Sequence, residues 1–121
     1  MTDGSLTEKM HILSGDFNCV LDKEIDRYSS RNYDDMGARE LKTIMTKNNL
    51  TDIWRENNPS VKQYTFRRNN YKSRIDFTLI SEELSCHIIN TKIIHGPFRD
   101  HDITIMKLSL CDITIEGLVP G

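Results

Sequence analysis

Three short stretches carry side chains suited to chemistry. Gly15-Asp16-Phe17-Asn18 follows an apolar run, and its glycine, acid and amide all favour turns. It reads equally as a plain turn or as a working pair. In the second reading Asp16 orients and polarises a water nucleophile while Asn18 donates a hydrogen bond to a phosphate oxygen. Two positions apart on an extended backbone, both side chains point to the same side. In Ser73-Arg74-Ile75-Asp76-Phe77 an aspartate sits within a β-like run, where that residue is depleted and costly if buried alone. Asp76 is then either an edge-strand carboxylate facing water or the acceptor of an imidazole hydrogen bond. Asp100-His101, after the Gly96-Pro97 break, supplies the imidazole. A carboxylate that fixes a histidine tautomer and stabilises its cation is a recurring hydrolytic device. His101, held by Asp76, stabilises developing negative charge as imidazolium or helps deprotonate water as a neutral base. Asp100 is expected to act on a metal ion or its water shell.

Around these stretches, Arg67, Arg68, Lys72 and Arg74 are interleaved with Tyr64, Phe66 and Tyr71. Basic residues mixed with aromatics suit a DNA backbone, and they suit a solvated hairpin tip equally well. His11, His87 and His95 have no such company and read as ordinary strand or surface histidines. The net charge of −2 argues against a protein that coats nucleic acid, but a site that gathers carboxylates for a metal lowers the total. Cys19, Cys86 and Cys111 lack paired spacing, which points to reduced thiols and an intracellular setting, nuclear or cytoplasmic. No run approaches the ~20 apolar residues of a membrane span, and no signal peptide is visible.

The elements that must position these residues follow from periodicity. With 121 residues the chain fits one domain. Residues 1–10 read as a polar, frayed leader, 11–110 as the domain and 111–121 as a tail. A short buried strand leads into Asp16, and residues 23–35 read as a solvated loop. Residues 36–50 form the one convincing helix, with Leu41, Ile44, Met45 and Asn48 on one face and Asp34 or Asp35 as its cap. A helical turn follows at 51–55. Strands at 63–66 and 73–80 join across Asn69-Asn70 as a hairpin, the second with an apolar and a polar face. Ser81 caps a short helix, and strands at 87–95 and 103–110 complete the order. The fold class is α+β, with a mainly antiparallel sheet and one main helix.

Taken in order, Gly15-Asp16-Phe17-Asn18, Leu50-Thr51-Asp52-Ile53-Trp54-Arg55, Asn58-Pro59, Tyr64-Thr65-Phe66, Ser73-Arg74-Ile75-Asp76-Phe77 and Asp100-His101 resemble the endonuclease/exonuclease/phosphatase superfamily. The Trp-Arg and Tyr-Thr-Phe elements narrow the resemblance to the endonuclease region of LINE-type, non-LTR retrotransposons. The resemblance implies two sheets packed face to face with helices outside, and hydrolysis of DNA phosphodiesters with Mg²⁺ (Mn²⁺ as a substitute). By motif, Asp16 orients water, Asn18 binds phosphate, Asp76 pairs with His101, and Asp100 serves the metal.

Two departures stand out. Arg99 replaces the serine that usually precedes Asp-His, and the family's earlier glutamate, its principal metal ligand, has no counterpart before His11. The chain thus reads as the C-terminal half of the domain, inactive alone. Its partners are DNA and, in a parent polyprotein, the missing N-terminal half or a reverse transcriptase domain. Half a sandwich would leave Ile75, Phe77, Leu79, Ile103 and Ile105 without a covering layer, giving a poorly stable or self-associating chain. The alternative is a non-catalytic binding or interaction module built from the same half-fold.

Overall fold

The computed structural model describes residues 10–28, 34–109 and 116–118. The leader 1–9 and most of the tail 111–121 therefore lie outside the described residues. Strand β1 (His11–Asp16) is apolar at its start and ends on the Asp16 turn. It pairs antiparallel with β6 (Asp76–Ser81), matching Ile12 with Ile80, Leu13 with Leu79 and Asp16 with Asp76. On the other edge of β6 lies β3 (Leu50–Asp52), and β9 (Glu116–Leu118) runs parallel beside β1. The resulting four-stranded sheet has the order β3-β6-β1-β9.

Period-two alternation sends neighbouring residues of β1 and β6 to opposite faces, and both faces are covered. Phe77 and Leu79 pack with Leu50 beneath Leu13, Phe17, Leu21, Leu41 and Met45. The last two come from helix α1 (Ala38–Lys47). On the far face Ile80 joins Ile53 and Leu84, with Met10, Ile12, Ile88, Met106 and Leu108 around them. These bring in the short helix α2 (Ile53–Asn57), the 3₁₀ turn Glu82–His87 and the two-stranded sheet of β7 (Ile88–Ile94) and β8 (Ile103–Leu108). The layers are thus helix, sheet and second sheet.

This corrects the expectation of bare apolar faces. Ile75, Phe77 and Leu79 are buried, and Ile103 and Ile105 are half-buried. It also corrects the half-polar reading of β6, since Thr78 and Ile80 are buried on its second face.

A third, three-stranded sheet has the order β2-β5-β4, made of β2 (Arg27–Tyr28), β5 (Tyr71–Ser73) and β4 (Phe66–Arg68). The hairpin across Asn69-Asn70 forms as expected, with Asn69 at φ 55°, a left-handed turn geometry that asparagine tolerates. The single strand expected at 73–80 is two, because the chain crosses from one sheet to another at Arg74-Ile75. The supposed loop 23–35 includes β2. Helix α1 begins after Gly37, at φ 89°, with no side-chain cap. Asp35 is spent elsewhere, accepting from Val20 N at 2.8 Å and pairing with the buried Arg27. Of the expected helix face, Leu41 and Met45 reach the core while Ile44 is exposed. No helix among the described residues is long and apolar enough to cross a membrane.

Candidate functional site

The end of β1 and the start of β6 are register partners, so Asp16 and Asp76 meet at one end of the main sheet. Just beyond, the chain turns. The Asp16 carboxylate accepts from Asn18 N at 2.8 Å, and Asn18 adopts φ 54°. Phe17 N bonds to Ile75 O at 2.9 Å while its ring stacks on Phe77 with centroids 4.8 Å apart. The turn reading is therefore met. Asn18 lies on a left-handed turn rather than an extended strand, yet both Asp16 and Asn18 line the same cleft.

His101 arrives from the other side. Its backbone forms a bridge with Phe66, flanked by Arg67 N to Asp100 O at 2.9 Å and Asp102 N to Thr65 O at 2.7 Å. This pins the stretch 100–102 along β4. The imidazole packs edge-on to the Phe66 ring at 5.0 Å, and its Nδ1 lies 3.0 Å from Asp76 Oδ2. That hydrogen bond occupies one ring nitrogen and leaves Nε2 as the one free for a ligand.

Thr65 is fully buried, and its hydroxyl oxygen accepts from Ile75 N and Asp76 N, both at 3.1 Å. It fixes the backbone on which Asp76 stands. Only its place in Tyr64-Thr65-Phe66 marked it in the sequence. Burial pushes the Asp76 carboxyl above the usual carboxylate range, and the charge of Asp16 adds to that, against hydrogen bonds from Thr65 and His101.

Asp16, Asp76 and His101 each offer one ligand atom within 4.8 Å of the others. Two carboxylates and an imidazole are donors a divalent cation accepts, and a cation would relieve the repulsion between the two acids. The donor set fits such an ion. Asp100 is not in this group; its carboxylate is 3.5 Å from Arg68.

The four basic residues separate. Opposed residues of an antiparallel pair share a face, so Phe66, Arg68, Tyr71 and Ser73 line the cleft while Arg67 and Lys72 occupy the reverse face. Arg67 forms a two-pronged pair with Asp102, 2.8 Å from each oxygen. Arg74, expected at a DNA contact, is instead turned away from solvent. It is 1% exposed, held by Asp26 at 2.8 Å and by Asp52, and its guanidinium lies between the Trp54 and Phe77 rings. Burial acts against its charge, but hydrogen bonds to Asp52 and Asp26 outweigh it and raise its pKa. Arg55 also pairs with Asp26. The Asp52-Ile53-Trp54-Arg55 stretch therefore braces the strand that ends at Asp76.

Sequence reasoning also passed over His95, whose Nδ1 lies 3.1 Å from Asp102.

No family model matches the chain. Over 103 residues it is 32% identical to the transposon TX1 uncharacterized 149 kDa protein of Xenopus laevis, an alignment covering 82% of this chain and 8% of that protein. Its fold is similar to the crystal structure of the AP endonuclease LMAP from Leishmania major, with a TM-score of 0.67 and 21% identity. That match covers 78% of this chain and 34% of the other, so the chain spans about a third of the solved protein and a small part of the transposon protein. The chain is thus similar in sequence to part of a transposon protein and has the fold of part of an AP endonuclease.

Proposed function

We propose that the cleft at the end of the main sheet hydrolyses DNA phosphodiesters with the help of a divalent cation, Mg²⁺ in the cell and Mn²⁺ as a substitute. The observation that carries this is the meeting of Asp16, Asp76 and His101 within 4.8 Å, drawn from three separate segments of the chain. Asp16 orients the attacking water and accepts its proton as the water oxygen bonds to phosphorus. Asn18 donates to a phosphate oxygen. His101, steadied by Asp76, meets the negative charge that builds on the phosphoryl oxygens. The bond from phosphorus to the leaving sugar oxygen breaks, and that oxygen takes a proton from solvent. Asp16 and the Asp76 oxygen not used by His101 would hold the cation, with Asp100 reaching it through water. The cation supplies Lewis-acid stabilisation of the phosphate. Arg68 lies in the same cleft and suits the DNA backbone.

Two direct carboxylate donors make a lean site, so the isolated chain binds the cation weakly and nicks slowly. Within the longer polyprotein, beside a reverse transcriptase domain, further ligands complete it. Nicking of supercoiled plasmid with Mg²⁺, with and without chelator, tests the reading. His101→Ala and Asp16→Ala should each lower the rate about 10²–10⁴-fold. Equal rates in wild type and both variants would instead favour a non-catalytic binding module.

A further inference from the structure

The reverse face of the three-stranded sheet carries a row of side chains that the cleft does not use. In register across β2, β5 and β4 stand Tyr28, Lys72 and Arg67. Adjacent strands are ~4.8 Å apart, so the row spans about 10 Å. Its far end is extended by His95, joined to Arg67 through Asp102 at 3.1 Å. Tyr28 is 60% exposed, a large aromatic surface open to solvent. The Lys72 ammonium lies 5.6 Å from the Tyr28 ring centre. The His95 side chain is 77% exposed. Asp102 offsets the charge of Arg67, so the net positive charge of the row comes from Lys72.

We propose that this row is a second nucleic-acid contact, one that takes a single DNA strand rather than the duplex in the cleft. A lone exposed ring can stack only on an unpaired base, because the faces of paired bases are already covered. A cation beside that ring suits the phosphate next to the stacked base. The four residues lie on the opposite side of the sheet from Phe66, Arg68, Tyr71 and Ser73, so a duplex seated in the cleft leaves them free. A strand freed by nicking has such unpaired bases. The inference rests on the nuclease reading for its substrate, but its readout is separate.

The test is fluorescence anisotropy of a labelled oligothymidine in chelator, where no cleavage occurs. Tyr28→Ala and Lys72→Ala should each weaken binding about tenfold, the scale of one lost base stack or phosphate contact. Tyr28→Phe keeps the ring and should keep the affinity, which separates stacking from misfolding. Tyr28→Ala should leave plasmid nicking within twofold of wild type. Unchanged oligothymidine affinity in Tyr28→Ala would overturn the proposal. So would displacement of the oligonucleotide by polyglutamate as readily as by unlabelled strand, which would mark the row as a site for acidic protein. Absence of nicking in wild type would defeat the nuclease reading while the anisotropy result still decided this one.

Discussion

Asp76 is asked both to be buried and to carry charge beside Asp16, and the two demands oppose each other. Its folded pKa lies above that of the unfolded chain, with burial the main cause. The native state therefore holds more protons over the interval between the two values, and stability falls as pH rises through it. The penalty is fully present above the folded value and vanishes well below the unfolded one, where both states are protonated. Asp76→Asn should accordingly melt higher than wild type at pH 7 while losing activity, and the gain should shrink toward zero in acid. Thermal melts across pH check this, and a variant that melts lower at neutral pH would contradict it.

Arg74 presents the opposite case, a buried cation held by Asp26 and Asp52, of which Asp26 also has Arg55 as a partner. Arg74→Met should cost about 3–5 kcal/mol in urea unfolding, since Asp26 and Asp52 would remain buried with part of their charge uncompensated. In the sequence this arginine is one of a basic cluster. Only the fold shows that the chain changes sheets there and turns the side chain inward.

At the scale of elements, β6 organises the molecule. It is hydrogen-bonded on both edges, packed on both faces, and delivers Asp76 at its first residue. Leu79, fully buried between β3 and β1, should cost 2–5 kcal/mol when replaced by alanine, read from denaturant midpoints. The β4–β5 turn gives a milder test. Asn69→Val forces a β-branched residue into left-handed geometry and should cost roughly 1–2 kcal/mol, whereas Asn69→Gly should be near neutral.

Much of this scale was legible in sequence. Alternation marked β1 and β6, the Asn-Asn pair marked the hairpin, and 3-4 spacing marked α1. What was not legible depends on contacts between distant residues. The cap of α1 could not be read because Asp35 serves Arg27 instead. The split between β5 and β6 leaves no turn signal, since Ser73 to Asp76 contains neither glycine nor proline. Likewise, the pairing of His95 with Asp102 arises from the β7–β8 hairpin, not from spacing.

For the molecule as a whole, the expected part of a sandwich is present, but helix–sheet–sheet layering closes both faces of its central sheet instead of leaving them bare. The residues proposed for catalysis could be picked out because each sits in a short motif at a strand end. Their mutual geometry was not, because it needs β1 paired with β6 and residues 100–102 pinned to β4. The central claim is that Asp76 and His101 act as one unit on a phosphodiester. The most direct measurement is a double-mutant cycle on Mg²⁺-dependent plasmid nicking, with Asp76→Asn, His101→Ala and the pair together. The account predicts a combined loss smaller than the product of the two single losses, because the part of Asp76 that acts through the imidazole is already gone in His101→Ala. Losses that simply multiply would show two independent contributions and contradict it.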